Sequence, residues 1–553
     1  MSLGPQCWRC RKKRLRCDSS HPSCRKCLLA EAECPGYGDK RPIAWRSPLV
    51  PTDKGIVRIR DPENVKKRSA PASVLGIVCR SPRTAGSEME LKIATDAMEY
   101  YLVPYSIIRS PYQVSPPQVI ELAEYLRNAF ISIAALHRHV SGEPSLVFKL
   151  SPSNDGGAQP AIRSRARAAA TTPEDSELSR LVAAGDFKSV YFATQAGALK
   201  ALGEELRTYR PDEPTDAFSP SILVGIMVML SSQFSAYAPW QFHVDGAWGQ
   251  VQAHGGFDVV ARMDVELCRL LQHFAVFDIF GMTTHRFTAV SAQTVVRRAS
   301  SYASVFENFN VKVRNPWQLV PNDLAKILIR INVVRANYAL SLNAKSRLEG
   351  LHDVLDFLDG SCPDDWAAET LTTAAVWLKP SRLSEDRQTK DAWRALMAAY
   401  HSAAILYAIS SLTVFGGNLM SEAAWGPASF LERRMNAYRA VLSSLRVLFD
   451  QRARRQRHGT VDSQSPIATS AGLLHKFVIW PMVIAGTQSA LIHHDENATR
   501  FLCSGMQAVG EELGTVSMID GARLVQRLHH AKEHGRDFSS WDDLFDGAPL
   551  FLM

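Results

Sequence analysis

From about Glu88 onward, apolar residues recur at intervals of three and four. The pattern is plain in MELKIATDAMEYYLVPYSII, which begins at Met89, and in QVIELAEYLRNAFISIAALHRHV, which begins at Gln118. It continues in DFKSVYFATQAGALKALGEELRT from Asp186 and LAKILIRINVVRANYALSLNAKSRL from Leu324. Such spacing gathers the apolar side chains on one face of a helix. Strand-like alternation is not evident, so residues 89–553 are predicted to form one large all-α domain, and the chain as a whole is mostly α. No fixed-period repeat marks a named solenoid, although paired antiparallel helices fit the connection lengths.

Two stretches break the helical period. Residues 39–88 hold Pro42, Pro48, Pro51, Pro62, Pro71 and Pro82 among scattered cations, without a sustained heptad, and read as a basic linker that carries no adjacent coiled coil. Residues 151–177 are rich in small and polar side chains and read as a flexible insertion. At its end, Thr172 offers an N-cap, Pro173 a first-turn residue, and Glu174 and Asp175 carboxylates that the helix dipole favours, so a helix is expected to start there. The apolar stretch from Ser221 to Leu230 and the one around Phe477 to Gly486 are too short or too interrupted to span a bilayer, so no membrane partner is expected.

Composition sharpens this picture at one place. With 553 residues, 46% of them apolar, the chain can bury a full core. Its net charge of +8 is concentrated: residues 1–46 hold 11 Lys and Arg against 4 Asp and Glu, which leaves the remainder close to neutral. A small module with so strong a positive field suits a polyanion, nucleic acid before an anionic membrane surface. Six of the ten cysteines lie in the same segment. The opening MSLGPQCWRCRKK lacks the apolar stretch of a secretory signal, so reduced thiols are expected.

The six cysteines repeat a C-x2-C-x6-C unit: Cys7, Cys10 and Cys17, then Cys24, Cys27 and Cys34. Zinc prefers four tetrahedral ligands, so six thiolates serve two Zn2+ ions only if two of them bridge. By the pseudo-symmetry of the repeat, Cys7 and Cys24 bridge, Cys10 and Cys17 complete one ion, and Cys27 and Cys34 complete the other. A module of residues 1–38 is too small to fold on apolar burial alone, and zinc supplies on the order of 10 kcal/mol. Six cysteines also allow a three-disulfide knot or a metal store. The first requires secretion, and the second lacks a clustered charge face.

Between Cys10 and Cys17 runs RKKRLR, whereas the matching stretch of the second unit is LLAEAE with Glu31 and Glu33. Phosphate repulsion turns the acidic unit outward and the basic one toward DNA. A short helix held by metal ligands can enter the major groove, where Lys or Arg donates to guanine O6 and N7. Lys13 and Arg14 are the candidate base readers. Arg9, Arg11, Lys12, Arg16, Arg25 and Lys26 are candidate phosphate contacts, which set register but carry no sequence information. Taken alone, the run would read as a solvated basic face or an import signal; the cysteine frame reverses that reading.

This segment resembles the fungal binuclear zinc cluster transcription factors. The basic run before the third cysteine, Asp18 just after it, and Pro22 before the fourth also fit that family. The resemblance implies a nuclear regulator of RNA polymerase II transcription that recognises CGG-like triplets in GC-rich double-stranded DNA. It also places Lys13 and Arg14 at the triplet and Cys7 and Cys24 as the bridging pair. Farther along, CPGYGDKRPIAW, WQFHVDGAWGQVQAHGG and WPMVIAGTQSA resemble the fungal-specific regulatory domain of such factors, through Trp240, His243, Gly246, Ala247, Gly255, Gly256, Trp480, Pro481, Gly486 and Thr487. A packing role suits these small residues, and a hydrogen-bonded histidine suits His243 better than a ligand.

A G-x-S-x-G elbow, a P-loop, an H-E-x-x-H motif and a strand-linked G-x-G-x-x-G are all absent, so no enzyme is expected. His493 and His494 diverge by about 100° on a helix and make a poor shared metal site. The C-terminal DFSSWDDLFDGAPLFLM interleaves acidic and aromatic residues. It reads either as an activation segment that docks into a coactivator groove or as a terminal helix packed through Trp541, Leu544 and Phe545. The leading reading is a sequence-specific DNA-binding regulator whose helical domain regulates, dimerises or senses a ligand. Its competitor is a helical scaffold or sensor that uses the cluster for nonspecific nucleic-acid tethering.

Overall fold

A computed structural model describes residues 10, 17–20, 24–29, 49–52, 55–58, 92–97, 122–141, 173–208, 219–231, 240–307, 320–341, 343–375, 387–413, 427–458, 470–545 and 550. The chain divides into two compact units, Met1–Ala70 and Pro71–Met553.

The first unit contains helix α1 (Arg25–Leu29) and strands β1 (Leu49–Thr52) and β2 (Gly55–Arg58). The strands pair antiparallel, Leu49 with Arg58 and Thr52 with Gly55. This hairpin lies inside the segment read as a linker. It tolerates Pro51 because a two-stranded ribbon leaves each strand an open edge, where a missing N–H costs no ladder bond.

The second unit is helical. After a helical stretch over 92–97 come α2 (Glu124–Ser141), α3 (Pro173–Ala184), α4 (Phe187–Thr208), α5 (Pro220–Ser231), α6 (Gln241–Ala253), α7 (Phe257–Met263) and α8 (Val265–Thr283). They are followed by α9 (Ala289–Glu307), α10 (Asn322–Ser341), α11 (Ala344–Asp359), α12 (Pro363–Ala375), α13 (Arg387–Leu412) and α14 (Pro427–His458). A 3-10 turn (Ser470–Phe477) leads to α15 (Ile479–Gln488), a π-turn (Ser489–His493), α16 (Glu496–Leu513), α17 (Val516–Glu533) and a final 3-10 turn (Trp541–Phe545). Helix α3 starts at Pro173, where the sequence places a helix start. Residues 151–172 of the expected insertion lie outside the described residues.

Helix α13 is the hub and packs against α10, α11, α12, α14 and α15. It is long and apolar enough to cross a membrane over Thr389–Leu412, yet most of that span is buried inside the unit, which is what a central core helix requires. The two apolar stretches singled out in the sequence are core helices as well: α5 buries Ile222, Leu223, Val224 and Met229, and every residue of α15 is buried. The amphipathic segment from Leu324 to Leu348 is divided by Asn343, whose side-chain oxygen accepts from the Ser346 backbone N–H at 3.1 Å and caps α11.

Small residues set the close approaches. A Cβ on Gly486 would stand 2.5 Å from Val525 Cγ2, so glycine lets α15 lie directly against α17. Gly255 and Gly256 take φ of 91° and 87° in the turn between α6 and α7, a region that L side chains rarely adopt. Trp240 and Trp480 are core residues, and Trp480 donates its indole N–H to Thr283 Oγ1 at 3.1 Å. His243 is half-buried, and desolvation holds its imidazole below the usual range.

Candidate metal centre

Four cysteines of the first unit, Cys10, Cys17, Cys24 and Cys27, are buried together as free thiols. The sulfurs of Cys10, Cys17 and Cys24 all lie within 4.8 Å of one another, and Cys10 Sγ and Cys24 Sγ are 3.7 Å apart. A disulfide would need about 2.05 Å. Two thiolates on a tetrahedral zinc with bonds of about 2.3 Å stand roughly 3.8 Å apart, so the Cys10 and Cys24 spacing fits a shared zinc ion. The three clustered sulfurs belong to the ligand set expected for the first ion.

Local backbone structure holds this cluster. Cys24 precedes α1 and Cys27 lies within it, and the Cys27 N–H donates to the Cys24 carbonyl at 3.0 Å and reaches Cys24 Sγ at 3.4 Å. An amide directed at a thiolate sulfur stabilises its negative charge, which is outer-shell support for a metal ligand. Asp18, next to Cys17, ties the two repeats together. Its carboxylate accepts from the Arg25 backbone N–H at 3.0 and 3.2 Å, which supplies the start of α1 with an acceptor from the other repeat. The Ser20 hydroxyl also donates to it, and this bond, with the Arg25 amide, holds the Asp18 carboxyl below its usual range despite partial desolvation. The sequence marks Asp18 as fitting a family pattern; only the fold shows this capping role.

Arg25 is exposed on α1, clear of the sulfur cluster's interior. Cys7, Cys34, Arg9, Arg11, Lys12, Lys13, Arg14 and Arg16 lie outside the described residues, as does the side chain of Lys26. Among the described residues, then, the structure brings together Cys10, Cys17 and Cys24 with Cys27 beside them.

Comparison with known families matches residues 6–42 to the fungal Zn(2)-Cys(6) binuclear cluster domain and residues 101–546 to the fungal specific transcription factor domain. The chain belongs to the fungal specific transcription factor family. Over 99% of its length it is 22% identical to the phomenoic acid biosynthesis cluster-specific transcriptional regulator of Leptosphaeria maculans, covering 89% of that protein. Over 58 residues, 10% of this chain and 9% of the other, it is 56% identical to the acriflavine sensitivity control protein acr-2 of Neurospora crassa. No solved structure matches the chain. The family comprises transcription regulators, generally not enzymes, that carry a zinc cluster DNA-binding domain, so zinc binding and DNA binding come to this chain with its membership.

The helical domain of this fungal transcription factor does contain buried titratable groups. Asp278 accepts from Tyr302 and, at 3.0 Å, from Arg298, and Arg298 also pairs with Asp245 and lies over the Trp248 ring. Each group is engaged by another, which is the behaviour of a structural ion-pair network. The C-terminal segment adopts the packed one of its two readings. Trp541, Leu544 and Phe545 are buried, and the Trp541 indole N–H donates to the Thr283 carbonyl at 2.7 Å. Asp542 pairs with Arg335, whose side chain is 2% exposed.

Proposed function

We propose that the chain is a nuclear, sequence-specific regulator of RNA polymerase II transcription that reads CGG-like triplets in the major groove. The observation that carries this reading is the triangle of Cys10, Cys17 and Cys24 sulfurs inside the stretch matched to the binuclear cluster domain. In this reading Cys7 and Cys24 bridge two Zn2+ ions, Cys10 and Cys17 complete one, and Cys27 and Cys34 complete the other. Bound zinc supplies the folding free energy that so small a module cannot gain from apolar burial. The chain's own residues do the recognition. Lys13 and Arg14 donate to guanine edges, while Arg9, Arg11, Lys12, Arg16, Arg25 and Lys26 neutralise phosphates and fix the register. The exposed position of Arg25 supports its share of that role.

Likeness along nearly the whole chain to a cluster-specific regulator supports a narrow target set, the genes of one biosynthetic cluster. Pairing of two copies belongs to the helical domain, since no heptads follow the cysteine module. Coactivator docking through Trp541, Leu544 and Phe545 would require these side chains to leave the core, so the packed state favours other surfaces for such partners.

Selection of bound DNA from a random pool tests the whole reading. CGG-like triplets are expected, and an inverted pair at fixed spacing would report a dimer. Lys13→Ala is expected to relax the selected sequence. Arg25→Ala should weaken all sequences alike and flatten the dependence on salt by about one counterion. A pool that yields no consensus, or equal effects of the two substitutions, would replace specific reading by nonspecific tethering.

A further inference from the structure

Helix α14 presents Met435, Tyr438, Arg439, Leu442 and Arg446 at helical spacing along one face. The π-turn Ser489–His493 contributes to the same place. Such turns carry an extra residue in the helical ladder and concentrate at functional positions. His494 ends the turn at φ 50°, left-handed for a residue with a Cβ. Ser489 fixes it: its carbonyl accepts from the Asp495 N–H at 3.1 Å, and its hydroxyl donates to the Asp495 carbonyl at 2.8 Å. The result is a His493 ring stacked on Tyr438, centroids 4.1 Å apart with 25° between the planes. The α14 stripe, His493 and Asp495 together line a cavity of about 540 Å³, within the size range of small-molecule sites.

The charge in this cleft is unbalanced. Arg439 and Arg446 are exposed in its lining, and among the described residues neither is paired with a carboxylate. Arg434, one turn before Tyr438 and behind the lining, is 7% exposed, and among the described residues its Nε has no acceptor. Burial lowers its guanidinium to about 10, which still leaves it charged at neutral pH. Desolvation, then the field of Arg434, holds the His493 imidazole below its ordinary range, and Asp495 opposes them only in part. Asp495 is the carboxylate of the lining and is already engaged. One oxygen accepts from the Ala498 N–H at 2.9 Å and caps α16, and the other accepts from the Tyr438 hydroxyl at 3.4 Å. Two cations against one engaged carboxylate leave the described lining net positive, which favours an arriving anion. Met435, Leu442 and the two stacked rings offer it an apolar floor.

We propose that this cleft binds a small organic carboxylate, its charged end between Arg439 and Arg446 and its apolar body against Met435, Leu442 and the Tyr438 and His493 rings. The site lies wholly in the helical unit, and its test is independent of DNA recognition.

Isothermal titration of the full-length protein with octanoate tests it, with 1-octanol and inorganic phosphate as partial ligands. Octanoate is expected to bind one per chain at millimolar concentration or below, and each partial ligand at least tenfold more weakly. Arg439→Glu combined with Arg446→Glu changes two exposed residues. It should leave cooperative melting intact, with at most the small loss of the Arg446 contact to the Phe501 ring, and weaken octanoate at least tenfold, about 1.4 kcal/mol. Met435→Trp, which fills the apolar end, should weaken octanoate similarly while the protein still melts cooperatively. Absence of saturable octanoate binding, equal binding of octanol, or indifference to the charge reversal overturns the proposal.

Discussion

At the scale of single residues, the two glycines of most interest behave in opposite ways. Gly281 of α8 sits under Trp240, and a Cβ there would come within 2.3 Å of the indole ring. Trp240 is itself buried and cannot swing aside. Overpacking of this kind costs about 1–3 kcal/mol, so Gly281→Ala is expected to lower the urea midpoint of the helical unit by that equivalent. Gly246 lies within α6, where a Cβ would meet nothing within 4 Å. Alanine there removes backbone entropy from the unfolded chain and should stabilise by about 0.5–1 kcal/mol. A midpoint that moved the same way for both would contradict this packing. The sequence singles out Gly246 and passes over Gly281, because a glycine's role depends on what stands opposite it. Composition around the position does not carry that information.

At the scale of elements, the final 3-10 turn shows where sequence reading reaches its limit. An acidic and aromatic stretch satisfies both an unbound activation segment and a packed terminus until its partners are known. Those partners are remote in the chain: Asp542 meets Arg335 across 207 positions, and Arg335 is also held by Tyr407 Oη at 2.6 Å and the Met282 carbonyl at 3.2 Å. Trp541 packs edge-on against Tyr407 with centroids 5.4 Å apart. Trp541→Ala should therefore cost about 3–5 kcal/mol through the cavity it leaves. Thermal unfolding of the full chain would register it, and an unchanged transition would show that the segment is not held in the core. The helices themselves are legible because a period of three and four survives in local sequence, and the start of α3 is legible from Pro173 and its carboxylates. The paired strands at 49–52 and 55–58 are not, since Pro51 argues against a strand and the intervening sequence Asp-Lys is not one of the usual tight-turn pairs. The cleft around Tyr438 is equally hidden, because its cations lie on α14 and it is completed by a turn some 50 residues later.

At the scale of the whole molecule, the two units rest on different kinds of stability. Among the described residues, Cys10, Cys17, Cys24 and Cys27 form a buried cluster of their own, and the core of the helical unit has no member before Ile93. In the proposed reading the first unit depends on its metal and the second on apolar burial, so removing zinc should separate them. A zinc chelator added to the full chain is expected to abolish binding to the selected DNA site. The main thermal transition, which belongs to the helical unit, should move by less than about 1 °C, equivalent to under about 1 kcal/mol for a unit of this size. Restoring zinc should restore DNA binding, because the thiols are free and nothing in the chemistry of ligand release is irreversible under reducing conditions. Cys10→Ser should reproduce the chelated state without chelator, since it removes one corner of the sulfur triangle and leaves the helical core untouched. A large fall in the main transition on chelation would mean that the helical unit leans on the cysteine module, and DNA binding that persisted without zinc would remove the metal from recognition altogether.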